Sequence, residues 1–341
     1  MKRLIYLLLA IICCVVTFAE NATKVGMKVY QKGGGVLDCG GVDSVNFCKA
    51  STRYDYVKDG VLIKASYAIG NGRRVYFSQG NLQFNATQGT HAVVGGEEEI
   101  TGTWRFAENQ YDYRGLLNAF ASPTYDGWID LFGWGTSGWS SGAIAYQPWS
   151  KSGSYTDYFP GGSDSTNLTG EYAKADWGVY NAISNGGNKP NKWRTLTISE
   201  WYNLIAYNKW TLGYINDGSE SYLCFMLIPA PFTAPEGTTV TILSATHEIR
   251  WGQCTGLTVP STNNYTTEQF ASLEKLGVVA LPCGGSHKYG SWDDGGFYWS
   301  SSSGDKPKFV PSFIFDSTQV RASGCSYARE VGLSVRLVQD Y

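Results

Sequence analysis

The sequence predicts an α+β protein, in which short strands form a framework, long loops join them and two helices pack beside them. Short apolar runs at 278–282 and 309–315 alternate with polar, glycine-rich connections in the last part of the chain. Near the C-terminus Leu333, Val335 and Leu337 alternate with polar residues, which is the two-residue period of a half-buried strand. Two helix-start signals occur in a chain without strand–helix alternation, so we expect no βαβ units.

The regular strand pattern begins at about Arg74. Residues 75–86 (VYFSQGNLQFNA) predict two strands around Gly80-Asn81, and residues 103–113 (TWRFAENQYDY) predict a further strand that leads into a turn. The preceding residues 20–70 have little periodicity and are too few for a substantial domain. We therefore expect an N-terminal extension over 20–70 and one domain over 71–341.

The first predicted helix begins with a capping box, in which two side chains each satisfy a backbone amide of the first turn. The box is Thr197 with Glu200, and Trp201, Leu204 and Ile205 follow it at helical spacing.

A second capping box predicts the other helix. It pairs Thr266 with Gln269, places Phe270 and Leu273 on one face, and the helix is expected to end at Gly277.

The composition suits a protein of sheets and loops. Charged residues make up 16% of the chain and aromatic residues 15%, and glycine occurs 41 times. A disordered chain is richer in charge, and a helical bundle is richer in Ala, Leu, Glu and Lys. The net charge is −2 and the body of the chain has no basic cluster, so we expect no nucleic-acid partner.

Residues 1–19 predict a secretory signal peptide that is cleaved after Ala19. A basic start precedes the apolar run 4–18, which is too short for a comfortable membrane span. A lipid anchor is the alternative, because Cys13 and Cys14 lie in that run. The residues before Cys13 do not form a lipobox, so we expect a protein that is secreted or displayed at the outer cell surface, with no membrane span.

Six cysteines remain after cleavage, and an even number in an exported chain permits disulfides. Cys39 and Cys48 are joined by a short glycine-containing loop and form the simplest candidate pair. The alternative is that several of the six are small buried residues. The six are Cys39, Cys48, Cys224, Cys254, Cys283 and Cys325.

Eight segments together resemble a group of exported proteins from gut and oral Bacteroidetes. The last four are also similar to the Fibrobacter major paralogous domain and, more distantly, to the formylglycine-generating-enzyme branch of the C-type-lectin-like fold. The resemblance covers about residues 70–341. The segments are VYFSQGNLQF (75–84), TWRFAENQYDY (103–113), GWIDLFGWGTSG (127–138), DWGVYNAISNGGN (176–188), WRTLTISEW (193–201), GVVALPCGG (277–285), GFYWSSS (296–302) and GLSVRLV (332–338).

The resemblance implies a C-type-lectin-like domain with two helices and a twisted antiparallel sheet, whose loops near the C-terminal strands meet the ligand. Some similar proteins are surface or pilus-tip adhesins. Others are variable proteins of diversity-generating retroelements, in which these loops are diversified. A diversified C-terminal binding surface is therefore an alternative function for this chain.

This chain lacks the residue patterns that give the similar proteins their enzymatic or metal-binding chemistry. Formylglycine-generating enzymes bind copper through two close cysteines near the C-terminus, whereas this region holds Cys325 alone, with Cys283 upstream. We expect a disulfide between these two and no enzyme activity, with a sulfatase-modifying oxidase as the alternative. The calcium-binding triplets of true C-type lectins are also absent, so we expect no cofactor and no metal.

The loops supply the candidate binding residues, since rigid sheets that carry Tyr-, Trp-, Ser- and Gly-rich loops are typical of recognition proteins. We expect a glycan or a host or bacterial surface protein to bind at loops 286–294, 303–310 and 321–329, joined by 139–158. The alternatives are aromatic residues that fill the core and charges that line a solvated rim. The candidates are Trp149, Tyr155, His287, Tyr289, Trp292, Asp293, Lys306, Lys308, Arg321, Tyr327 and Arg329.

Other tryptophans are expected in the core, because they lie within the segments that carry the resemblance. These are Trp104, Trp128, Trp134, Trp177, Trp193, Trp201 and Trp299.

Overall fold

A computed structural model describes residues 55–89, 102–288 and 295–341, together with the backbone of five short strand segments outside or at the edges of these ranges. The predicted signal peptide over 1–19 lies outside the described residues. The five segments are Lys28–Tyr30, Val36–Asp38, His91–Val94, Glu97–Ile100 and Ser291–Trp292.

The chain divides into two compact units, Met1–Thr52 and Arg53–Tyr341. The second unit therefore begins earlier than the predicted start of the domain at 71. Strand Tyr67–Gly70, from the predicted extension, pairs with Arg73–Phe77 and belongs to the same sheet.

The largest sheet, sheet A, holds most of the C-terminal strands. Its pairings are antiparallel except for one parallel contact between Tyr298 and Ser334. The strand Ser326–Ala328 pairs with Phe309–Phe315 beside the main path. In spatial order sheet A consists of Leu131–Phe132, Leu333–Ser334, Gly296–Trp299, Phe309–Phe315, Gln319–Arg321 and Gln253–Thr255.

Two four-stranded sheets pack with sheet A. Sheet B consists of Arg194–Thr195, Leu337–Asp340, Arg73–Phe77 and Tyr67–Gly70. Sheet C consists of Asn264–Thr266, Lys209–Asn216, Ser221–Ile228 and Val279–Pro282.

The remaining described strands of this unit form two-stranded ribbons. The pairs are Val57–Lys58 with Val61–Leu62, Leu82–Asn85 with Thr103–Phe106, His91–Val94 with Glu97–Ile100, and His287–Lys288 with Ser291–Trp292.

The helices are short. The α-helices are α1 (Trp177–Tyr180), α2 (Ile198–Tyr207) and α3 (Thr267–Lys275). Among the described residues no helix has the length and apolar character needed to cross a bilayer. The 3₁₀ helices are Gly115–Phe120, Tyr155–Tyr158, Pro160–Gly162, Gly170–Ala175 and Leu243–Ala245.

Both predicted capping boxes are confirmed. At the start of α2 the Thr197 hydroxyl accepts a hydrogen bond from the Glu200 amide, and the Glu200 carboxylate accepts one from the Thr197 amide. Thr266 and Gln269 make the same reciprocal pair at the start of α3. The chain leaves α3 at Gly277, whose φ of 98° is readily adopted only by glycine.

The predicted α+β class, with two helices on one twisted antiparallel sheet, is wrong. Strands account for 30% of the residues and helices for 17%, and the strands are divided among several sheets, none of which closes. Two physical reasons account for the difference. Single-turn helices in glycine-rich segments have no measurable periodicity, and strands of two to four residues are too short to reveal which sheet they join.

Large aromatic side chains fill the core between the sheets. Trp201 of α2 stacks on Phe313 of sheet A with ring centroids 4.6 Å apart and an interplanar angle of 7°. Six of the seven tryptophans expected in the core are buried. Trp128 is half-buried, and the guanidinium carbon of Arg105 lies 3.8 Å above its ring.

Candidate functional site

Four of the predicted residues lie outside the described part of the chain. They are Tyr289 and Asp293 of the predicted binding loops, and the cysteine pair Cys39 and Cys48. The backbone of Trp292 pairs with His287 in a short ribbon.

Arg329 is buried, which corrects its prediction as a ligand-contacting residue. Its side chain has no exposed surface. The guanidinium carbon lies 4.3 Å from the ring centroid of Trp134 and 5.0 Å from that of Phe159. Nε–H donates to the carbonyl of Pro307 at 2.8 Å, and Nη2 donates to the carbonyl of Asp164. Burial lowers the pKa of Arg329 to about 10, and the nearby Asp164 opposes this effect. The residue therefore connects loops inside the protein.

Lys308 and Tyr155, which were both predicted as binding residues, lie close together in the structure. The Nζ atom of Lys308 lies 5.8 Å from the ring centroid of Tyr155 and 5.6 Å from that of Phe309. Phe309 is 36% exposed, and Lys306 is exposed nearby in sequence.

The other candidates of sheet A are spread along its length. Tyr327 is half-buried, and its ring packs edge-on against Phe297 at 5.1 Å. Arg321 lies opposite Gln253, at the edge of the sheet. Its Nε atom is buried without a hydrogen-bond partner among the described residues.

His287 borders a small cavity of 220 Å³, together with Lys151 and Glu330. Its backbone exchanges hydrogen bonds with Gly332, with N···O distances of 3.0 and 2.9 Å. Burial lowers the pKa of His287, and the charge of Lys151 acts in the same direction. Within the described residues no group of three His, Cys, Asp or Glu side chains is arranged to hold a metal ion.

The expected disulfide between Cys283 and Cys325 is not formed, because Cys325 is a free, half-buried thiol. The two cysteines lie beside different sheets. The Cys283 amide donates to the carbonyl of Leu223 in sheet C, whereas the Cys325 carbonyl accepts a hydrogen bond from the amide of Ser312 in sheet A. Burial raises the pKa of the Cys325 thiol, although the charge of Arg321 opposes this effect.

Trp149 lies in the wall of a cleft of 790 Å³. We call it the Trp149 cleft. Phe84 supports the indole with a ring-centroid distance of 5.7 Å, and Trp104 packs behind Phe84 at 4.6 Å. The lining residues are Phe84, Ala86, Trp104, Pro123, Ser137, Gly138, Gln147, Pro148, Trp149, Tyr180, Asn181 and Ala182.

Backbone hydrogen bonds hold the loop that carries Trp149. The Gly138 amide donates to the Tyr146 carbonyl at 2.9 Å, which closes the loop between them. The Ser150 amide donates to the Gln147 carbonyl at 3.0 Å and forms the turn that contains Trp149. A cleft wall built this way is ordered before a ligand arrives.

A further part of the lining comes from the end of α1. Nδ2 of Asn181 donates to the carbonyls of Ser137 at 2.9 Å and Trp177 at 3.0 Å. Its carbonyl oxygen Oδ1 has no partner among the described residues, and neither has the side-chain amide of Gln147. Tyr180, which is 39% exposed, adds a phenol.

The Trp149 cleft has a neutral lining. Its twelve lining residues in the described part of the chain include no carboxylate, ammonium, guanidinium, imidazole or thiol group. It offers aromatic faces together with hydroxyl and amide groups, and it suits a ligand with both apolar and hydroxyl-bearing faces.

Gln147, Tyr180 and Asn181 were not predicted as site residues. Gln147 stands two residues before Trp149 in an aromatic, serine-rich segment, which is the one local signal that could have identified it. Tyr180 and Asn181 lie in a segment that was interpreted only as a sign of the fold. No family model matches this chain, and the searches found no curated protein and no solved structure similar to it.

Proposed function

We propose that this chain is an exported, non-catalytic binding protein that holds a neutral saccharide in the Trp149 cleft. The observation that carries the proposal is the neutral, aromatic lining of this cleft. Export is proposed from the signal-like residues 1–19.

Aromatic side chains support a saccharide ligand. The axial C–H face of a pyranose ring is flat and apolar, and it packs well on an indole or phenol ring. Trp149 is half-buried, so its position is fixed by Phe84 while part of the ring remains accessible. A rigid aromatic group loses little conformational entropy when it binds.

Unused polar groups support the same ligand. The Gln147 amide has two donors and an acceptor, and Asn181 Oδ1 is a further acceptor. Sugar hydroxyls both donate and accept, so they would satisfy these groups without introducing charge. An anionic or cationic ligand would lose its hydration in the cleft without meeting a countercharge.

The neutral lining also favours binding over catalysis. General acid–base catalysis needs a titratable group in contact with the reacting atoms, and His, Asp, Glu, Lys and Cys usually supply it. Of the described lining residues, Tyr180 alone offers a titratable group, its phenol.

A glycan array probed with the mature chain tests the proposal. We expect uncharged oligosaccharides to bind, and we expect Trp149→Ala and Gln147→Ala to raise the Kd at least tenfold. Phe120→Ala is the control, because Phe120 is 62% exposed but does not line the cleft. Binding of sialylated or sulfated glycans alone, or unchanged affinity of Trp149→Ala, would contradict the proposal.

A further inference from the structure

Trp251 is the most exposed large apolar residue among those described, with 88% of its surface accessible. No aromatic, cation–π or side-chain hydrogen-bond contact involves its indole within the described part of the chain. Packing therefore gives no reason for a tryptophan at this position.

The backbone at Trp251 is also unfavourable for a tryptophan. Arg250 and Gln253 exchange both backbone hydrogen bonds at 2.9 Å, which makes a hairpin with a two-residue turn. Trp251 and Gly252 form this turn with φ values of 53° and 74°. Two positive φ values are typical of a type I′ turn, for which Asn-Gly is strongly preferred. A bulky residue in this conformation is strained, and such strain occurs most often at functional sites.

The two residues that follow the neighbouring strand Gln319–Arg321 hold the turn in place. The Ala322 amide donates to the Gly252 carbonyl at 2.8 Å, and the Ser323 hydroxyl donates to the Trp251 carbonyl. Nε2 of Gln253 donates to the Ser323 carbonyl at 3.1 Å. The indole is thus displayed from a fixed backbone, and it is not carried on a loose loop.

A groove lies beside the turn and has mixed chemistry. Tyr202 borders the groove of 440 Å³ and also touches the turn, since a Cβ added to Gly252 would lie 2.5 Å from its ring. Tyr207, which is 66% exposed, continues the aromatic surface. Lys209 and His247 line the same groove and supply hydrogen-bond donors.

We propose that the Trp251 turn and this groove form a second saccharide-binding site, in which the indole stacks on a pyranose ring. Tyr202, Tyr207, Lys209 and His247 would contact the neighbouring sugar units. Arg321, a sequence-predicted binding residue, lies opposite Gln253 at the base of the hairpin. The proposal uses none of the residues of the Trp149 cleft and does not depend on that cleft binding a ligand.

Other ligands fit this surface less well. A peripheral membrane site needs basic residues around its apolar anchor. The charge of the neighbouring Arg250 is instead neutralised by Glu248, with a nitrogen-to-oxygen distance of 3.0 Å. A stable protein interface needs a large, well-packed apolar centre, whereas this groove mixes aromatic rings with the charged side chains of Lys209 and Glu248.

Affinity electrophoresis tests the second site. The mature chain is run through native gels that contain amylopectin, galactomannan, xyloglucan or laminarin. We expect at least one polysaccharide to retard the wild type, and we expect Trp251→Ala and Trp251→Asn to weaken that retardation about tenfold in Kd. The Trp251→Ala change is also made in the Trp149→Ala variant. Retardation that is retained in Trp149→Ala and lost in the double variant belongs to the second site alone.

Thermal unfolding separates binding from packing. Because Asn adopts positive φ more easily than Trp, Trp251→Asn should melt about 2 °C above the wild type although it binds less. A lower melting temperature would mean that the indole stabilises the fold and would overturn the proposal. Retardation by none of the four polysaccharides, or binding to phosphatidylcholine–phosphatidylglycerol vesicles that Trp251→Ala abolishes, would also overturn it.

Discussion

Replacing Arg329 distinguishes a residue that stabilises the fold from one that binds a ligand. The sequence placed Arg329 among the binding residues, but its side chain is fully buried between Trp134 and Phe159. We expect Arg329→Ala to destabilise the protein strongly and to leave intrinsic affinity for a ligand in the Trp149 cleft unchanged.

The expected size follows from the contacts. The two hydrogen bonds from the guanidinium, to the carbonyls of Pro307 and Asp164, contribute about 1.5–3 kcal/mol each as charge-assisted bonds. Burying the cation opposes them, since the fall in the pKa of Arg329 to about 10 corresponds to about 3 kcal/mol. The alanine variant also leaves a cavity and two carbonyls without donors. Together these effects give a net loss of about 3 kcal/mol.

Urea unfolding followed by tryptophan fluorescence measures this loss. Lys306→Ala is the matched control, because Lys306 was predicted together with Arg329 but is exposed, and its loss should change stability by less than about 0.5 kcal/mol. A variant at Arg329 with wild-type stability and impaired binding would refute the assignment of this residue to the interior.

Two further predictions concern the rest of the unit. Burial raises the pKa of Asp130 to about 6, so the folded state takes up a proton that the unfolded state does not hold at pH 5. The stability of the wild type relative to Asp130→Asn should therefore rise by about 1 kcal/mol from pH 7 to pH 5, as denaturant titrations at both values would show, and an unchanged difference would contradict the shift. Gly277→Ala should lose about 1–2 kcal/mol more than Gly72→Ala in the same assay. Both residues have positive φ. A Cβ added at Gly277 would lie 2.7 Å from the Cβ of Ala65, whereas a Cβ added at Gly72 would have no heavy atom within 4 Å. Equal losses would contradict this explanation.

Local patterns predicted local structure well. The capping boxes at Thr197 and Thr266 identified both longer helices, because a cap depends on residues only three positions apart. The fold class was wrong because pairing between strands depends on contacts that are distant in the chain. For example, sheet B joins Arg73–Phe77 to Leu337–Asp340, and no local signal connects these segments.

The same limit explains the binding residues. Arg329 resembled a loop cation because its partners Trp134, Phe159 and Asp164 come from a segment more than 160 residues earlier, as the separation of 165 to Asp164 shows. Trp149 was predicted from its aromatic, serine-rich surroundings, but its cleft is also lined by Tyr180 and Asn181. No periodic pattern links these two segments of the chain.

Trp251 could not have been identified as a site residue from the sequence alone. The dipeptide Trp251-Gly252 occupies a turn in which Asn-Gly would be more stable. The unfavourable conformation of Trp251 is recognised only when the turn has been located. The contrast with Arg329 gives a physical criterion for function in this protein. The hydrogen bonds and ring contacts of Arg329 explain why an arginine is present at this position. Among the described residues, the exposed indole of Trp251 and the side-chain amide of Gln147 make no such contacts. Because selection for stability alone would replace such residues, their contacts are best sought in a bound molecule.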